Sequence, residues 1–224
     1  MIDRPNAGSY STSVLAAIHN RRSIRSGYEG VGLDPGIVDQ IVAAGLVAPS
    51  SKNAQPWRLH VIEDRSMLRQ FATLALAHPD VDDFMPLDVG SAQPDRRWGS
   101  TVSESADVLE SVPLAIAIEN RCSFGSGRRV VAEAPESLRY GALVSYTLEL
   151  LGIGAAIENM WLAAVGLGLQ AAFLGDLLII EDAITESLQI EGELVGVLAI
   201  GVCSEPPELP RRFAEPERVV YHRS

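Results

Sequence analysis

A chain of 224 residues, 47% of them hydrophobic, can bury one substantial core and is short for two. Its formal net charge of −11 argues against nonspecific nucleic-acid binding, which depends on Lys and Arg neutralising phosphates. Two distant cysteines, Cys122 and Cys203, and four scattered histidines, His19, His60, His78 and His222, offer neither a Cys-x-x-Cys pair nor a ligand spacing, so no metal is expected.

Residues 1–10 are polar and read as a flexible N-terminus before a single domain over 11–224. Ser11, Thr12 or Ser13 can cap a helix in which Val14, Ala17 and Ile18 follow helical spacing, ending near Arg21. Gly27, Gly30 and Gly32 then break the chain. Asp34 as cap and Pro35 at the first helical position open a second helix over 36–46, with Ile37, Ile41, Val42 and Leu46 on its apolar face and Pro49 as its stop. Residues 58–63 alternate as a strand, and 65–77 read as a helix. The stretch 78–105 is rich in Pro, Asp, Gly and Arg without periodicity, as expected of a long loop or lid. A strand over 113–119 leads into a second variable loop over 120–137, with Gly125, Gly127 and the Arg128-Arg129 pair. Residues 136–168 are helical in character, either two helices or one bent near Gly152 and Gly154. Strands are expected at 169–174 and 194–203, with a helix over 181–188 between them, and the tail 204–224 reads as an arm.

The apolar run 138–180 invites a membrane-spanning reading. Glu149, Glu158, Asn159 and Asp176 interrupt it, and its longest clean piece, 160–175, falls short of the ~18–20 residues a span needs. A buried core or subunit interface is expected instead, with no membrane partner. The cysteine usage and the lack of a visible signal peptide suggest a reducing, cytoplasmic setting. Strands and helices mix without a strict βαβ rhythm, which favours an α+β layer fold.

Two motifs concentrate polar chemistry. In Arg21-Arg22-Ser23-Ile24-Arg25, alternation along an extended chain sets Arg21, Ser23 and Arg25 on one face and turns Arg22 elsewhere. Converging guanidinium groups suit a dianionic phosphate. The plain alternative is a solvated charge run at a helix C-terminus, where cations also suit the dipole. In Pro49-Ser50-Ser51-Lys52-Asn53-Ala54-Gln55-Pro56-Trp57, two hydroxyls and two amides can donate and accept together, as the mixed edge of a planar heterocycle requires. The plain alternative is a polar turn before a strand, with Trp57 in the core.

In order and spacing, Arg-Arg-Ser-x-Arg at 21–25 and Ala-Pro-Ser-Ser-x-Asn-x-Gln-Pro-Trp at 48–57 resemble the N-terminal signature of the FMN-dependent nitroreductase family. The run 156–168, ending Gly166-Leu167-Gly168, resembles the family's central helix. Residues 197–202 with Pro206, Pro207, Pro210, Arg211 and Arg212 resemble its closing strand and basic phosphate contact. The similarity covers 14–63, 142–176 and 194–213, whereas 78–137 match poorly.

The resemblance implies a nitroreductase-like three-layer α+β fold, with a central, mostly antiparallel sheet flanked by helices and a C-terminal arm. It also implies a homodimer with FMN at the interface. By that resemblance Arg21, Ser23 and Arg25 hold the FMN phosphate and ribityl chain, with Arg22 in the same motif and Arg211 or Arg212 assisting. Pro49, Ser50, Ser51 and Asn53, with Gln55 as a further contact, reach the flavin of the partner subunit. Leu174 and Gly175 would lie by the flavin N5/O4 edge, where many relatives carry Glu-Gly. The implied activity is ping-pong hydride transfer from NADH or NADPH to a nitroaromatic, quinone or related small-molecule acceptor. No catalytic side chain is implied, because the flavin performs the chemistry. The alternatives are an FMN-sequestering protein with little turnover and a specialised flavin oxygenase or dehydrogenase of the same superfamily. A dehalogenase is disfavoured, since the family's lid set for that reaction needs a lysine and Lys52 is the chain's only one.

Overall fold

The computed structural model describes residues 14–206 and 220–222. The expected flexible N-terminus, the cap at 11–13 and most of the arm lie outside the described residues, as do Arg211 and Arg212. Seven α-helices are described: α1 (Val14–Asn20), α2 (Pro35–Leu46), α3 (Arg65–Leu76), α4 (Val102–Ser111), α5 (Arg128–Glu133), α6 (Glu136–Gly166) and α7 (Glu181–Leu188). With them are four strands, β1 (Trp57–Ile62), β2 (Leu114–Asn120), β3 (Gln170–Leu174) and β4 (Glu193–Gly201). All neighbouring strands pair antiparallel, in the order β1-β2-β4-β3.

The sheet is covered on both faces, and the side-chain period of two explains how. Along β2 every residue is buried. Leu114, Ile116 and Ile118 face one layer, in which Val38 and Ile41 of α2 and Ile153, Ala156, Met160 and Trp161 of α6 pack against them. Ala115 and Ala117 face the other, where the larger Leu68 and Phe71 of α3 and Val102 and Leu109 of α4 fill the space the alanines leave. Each fully buried Leu, Ile or Phe contributes ~1.5–3 kcal/mol, so two such layers support a stable three-layer α+β domain. The expected fold class is the observed one.

Local signals act as their chemistry dictates. Asp34 Oδ1 accepts from Gly36 N at 2.8 Å, with Pro35 opening α2. A bulge at Ile118/Glu119 leaves Val195 without a partner in β2, and Gly196 follows it at φ 152°. A Cβ on Gly196 would lie 2.4 Å from the Phe173 ring, so only glycine admits that ring.

Three expectations need correction. The loop expected over 78–105 ends at 101, because α4 begins at Val102. The loop over 120–137 contains α5 and the first two residues of α6. The helix after it is single: Gly152 and Gly154 neither break α6 nor divide it. Gly152 is buried instead because Ser50 packs on it, where a Cβ would sit 3.1 Å from the Ser50 Cβ. By length and composition α6 could cross a bilayer. Its C-terminal half, however, lies in the core against the sheet.

Candidate functional site

The segment 21–25 leaves α1 in extended conformation and runs beside the edge strand β3. Ser23 pairs in parallel with Ala171, and Ile24 N donates to Ala171 O at 3.1 Å. Ile24 anchors the segment by burying its side chain. Tyr28 braces it, donating its hydroxyl to Ile24 O at 2.8 Å. Burial raises the Tyr28 phenol well above its ordinary range, keeping it a neutral donor.

The three arginines have different partners. Arg22 Nη1 donates to His19 O at 2.6 Å and to Arg21 O at 2.8 Å, capping the end of α1 as a helix C-terminal cation does. Arg21 pairs with Glu158 of α6 at 3.1 Å and lies over the Trp161 ring, 4.5 Å from its centroid. Arg25 pairs with Glu104 of α4 at 3.2 Å. Because α6 and α4 cover opposite faces of the sheet, Arg21 and Arg25 take their carboxylate partners from opposite sides of Ser23. The two carboxylates are 46% and 49% exposed. The Arg25 pair, open to water on both sides, is worth ~0–1 kcal/mol and is weak enough to exchange for a bound phosphate, whereas Arg21 is the more buried of the two.

Leu174 and Gly175 end the same edge strand. The Leu174 side chain is buried, so its backbone is what it can offer a ligand. Asp176 follows and accepts hydrogen bonds from Thr101 Oγ1 and, at 3.3 Å, from Ser105 Oγ. The first turn of α4 therefore meets Arg25 through Glu104 and the Gly175 turn through Asp176.

The segment 49–57 is held differently. Ser50 Oγ accepts from Gln55 N at 2.9 Å, and a short 3-10 turn over Ser51–Asn53 closes with Asn53 N donating to Ser50 O at 3.1 Å. Lys52, Asn53 and Gln55 take φ values of 52°, 54° and 45°. Left-handed backbone at non-glycine residues costs of order 1–3 kcal/mol each and concentrates at functional sites. Lys52, Asn53 and Gln55 are exposed, while Pro56 and Trp57 are buried. The plain reading holds for Trp57, which is core, and the amides are turned outward.

The two motifs lie far apart within one chain. The segment 21–25 lies outside β3, and 49–57 enters β1 at the other edge of the sheet. Three strand spacings of ~4.8 Å separate those edges by ~14 Å. On α6, Gly152 receives Ser50 and Glu158 receives Arg21. Those positions stand ~9 Å apart along the helix and ~120° around it. The two motifs of one chain therefore do not form a single compact cluster.

An exposed apolar surface accompanies them. Val14, Leu15 and Ile18 of α1 and Leu138, Tyr140, Leu143 and Leu151 of α6 are exposed, Tyr140 at 79% and Leu151 at 66%. Exposed apolar side chains in such number are what an interaction surface offers.

Neither cysteine is poised as a nucleophile. Burial, assisted by Glu193, Glu149 and Glu119, pushes the Cys122 thiol up to about 11, and burial also raises Cys203. Among the described residues no group of His, Cys, Asp and Glu could hold a metal ion. Sequence reasoning missed Glu158, Trp161, Glu104 and Asp176. Glu158 and Trp161 lie in the run that resembles the central helix and could have been paired with the arginine motif. Glu104 gave no signal, because its helix read as loop.

Comparison with known proteins agrees with this architecture. The model of the nitroreductase family matches residues 18–202. A 5,6-dimethylbenzimidazole synthase of Rhodospirillum rubrum is 24% identical over 208 residues, covering 90% of this chain and 87% of that protein. A BluB-like flavoprotein of Clostridium difficile superposes with a TM-score of 0.68 at 21% identity, covering 94% of this chain and 99% of the other. The NADPH:FMN oxidoreductase of Vibrio harveyi, solved with NAD+, gives a TM-score of 0.63 at 18% identity, covering 94% and 77%.

Proposed function

This chain belongs to the nitroreductase family, and from that membership we propose that it is a homodimeric, FMN-dependent NAD(P)H oxidoreductase. Its electron acceptor would be a nitroaromatic, a quinone or a related small planar molecule. The observation that carries this reading is the placement of the two polar motifs at opposite sheet edges, beside an exposed apolar surface on α1 and α6. Two chains joined through that surface can bring 21–25 of one against 49–55 of the other.

The residues present fit FMN. Arg21 and Arg25 pair with half-exposed carboxylates that a phosphate can displace. Ser23 lies between them with a hydroxyl for the ribityl chain. The backbone of Leu174 and Gly175 lies on the same edge, suited to the flavin ring edge. Pro49, Ser50, Ser51, Asn53 and Gln55 would face the flavin from the partner chain, the last two through exposed amides. Arg22 is committed to backbone carbonyls and contributes by ending α1. Arg211 and Arg212 are proposed as further phosphate contacts. Bound FMN would supply two-electron redox chemistry at N5, between NADH or NADPH and the acceptor. The protein's part is to hold the ring, exclude water and set hydrogen bonds along its edge.

Anaerobic addition of NADH or NADPH to the FMN-loaded protein tests the activity. We expect the flavin colour to bleach and to return on adding a nitroaromatic or a quinone. A loaded protein that neither nucleotide reduces would favour FMN sequestration. The long match to a 5,6-dimethylbenzimidazole synthase favours a second reading, a flavin-consuming oxygenase. That reading predicts loss of the flavin itself, with release of 5,6-dimethylbenzimidazole, when the reduced protein meets air.

A further inference from the structure

Glu149 lies fully buried in the middle of α6. A buried carboxylate persists only when its oxygens are satisfied. Among the described residues no Arg, Lys or His pairs with it; three hydrogen-bond donors do. Phe124 N donates to Oε1 at 2.6 Å, Asn120 Nδ2 donates to Oε2 at 3.1 Å, and Ser126 Oγ donates to Oε2 as well. Asn120 is the last residue of β2 and the other two lie in the segment that follows it, so one carboxylate gathers residues 120–126. The loop is further folded on itself: Cys122 N donates to Asn120 Oδ1 at 3.0 Å, and Gly125 N to Cys122 O at 2.8 Å.

The gathered loop meets the second polar motif. The Phe124 ring lies under the Lys52 ammonium, 5.9 Å from ring centroid to Nζ, and Lys52 is one of the three left-handed residues of 49–57. One turn after Glu149, Gly152 provides the bare backbone on which Ser50 packs. A single turn of α6 thus anchors the loop 120–126 through a carboxylate and the segment 49–57 through a missing side chain.

We propose that Glu149 is a positioning residue: by clasping 120–126 it seats Phe124 beneath Lys52 and keeps the segment 50–55 in its left-handed, outward-facing conformation. The consequence for cofactor binding rests on the function proposed above, in which 50–55 meets the partner's flavin; the mechanical coupling does not. Glu149→Gln keeps the shape but sets an NH2 group against donors, so at least one clasp contact is lost.

The test is amide hydrogen exchange on the flavin-free protein, combined with FMN titration. In E149Q the amides of Asn53, Ala54 and Gln55 should exchange about tenfold faster or more, while those of β2 and β4 stay protected. FMN affinity should fall by about tenfold, as for a contact segment held slightly out of place. Phe124→Leu, which keeps the clasp and removes the aromatic face, should also speed exchange at 53–55, and it decides the matter if E149Q fails to fold. Unchanged exchange at 53–55 in F124L, or in an E149Q protein whose 122–126 amides have loosened, would overturn the coupling. A wild-type protein that takes up no FMN would overturn the cofactor reading, and the exchange result would still decide the role of Glu149.

Discussion

Arg21→Ala is expected to weaken FMN binding by about 1.5–3 kcal/mol, roughly 10- to 150-fold, the worth of a hydrogen bond to a charged group. Arg21 is already held in place: Glu158 fixes its Nε, and the Trp161 ring lies against its plane. Exchanging the half-exposed Glu158 for a phosphate therefore requires little new ordering of the arginine. Arg22→Ala is the control. Its guanidinium serves backbone carbonyls at the end of α1, so its loss should cost a fraction of a helix cap and leave FMN affinity within about threefold. Fluorescence titration of FMN against the two variants checks both. Equal losses would mean that the arginine cluster acts only through its net charge.

The second large effect concerns assembly. Leu151→Glu places a carboxylate at an exposed apolar position of α6. If that position is covered by a second copy, the charge is buried, and the dimer should weaken by at least ~2 kcal/mol, or about thirtyfold. Sedimentation should then show monomers where the wild type is dimeric. FMN should be lost with the dimer, because 49–55 of the partner no longer reaches it, while helical content stays unchanged. A variant that remains dimeric and retains flavin would place the interface elsewhere.

Much of this arrangement was legible in the chain before any coordinates. Asp34-Pro35 announced α2, and the run 181–188 announced α7 at its observed bounds, because caps and apolar spacing are local signals. The strands fell within about two residues of their expected ends, as is usual for boundaries. Helix α4 was hidden: Ser103, Glu104, Ser105 and Asp107 interrupt the Val102, Ala106, Leu109 stripe and make it read as polar loop. Gly152 suggested a break or bend because a glycine's packing role is invisible until its neighbour, Ser50, is known.

At the site, alternation set Arg21, Ser23 and Arg25 on one face, whereas Arg21 pairs toward α6 and Arg25 toward α4. The divergence of Arg21 and Arg25 was not legible, because it is set by Glu158 and Glu104, residues brought in by tertiary packing. The same holds for Glu149, whose partners lie 23 to 29 residues away along the chain. The variable segment 120–137 offered no motif, yet its loop 120–126 is tied by that carboxylate to the more legible segment 49–57.

In the proposed dimer, two chains together build FMN sites from 21–25 of one and 49–55 of the other. The most direct measurement is titration of the flavin-free protein with FMN, followed by visible absorption and by sedimentation in parallel. Saturable uptake of one FMN per subunit is expected, with the flavin absorption migrating with a dimer. A protein that takes up no FMN, or one that binds FMN as a monomer, would contradict it.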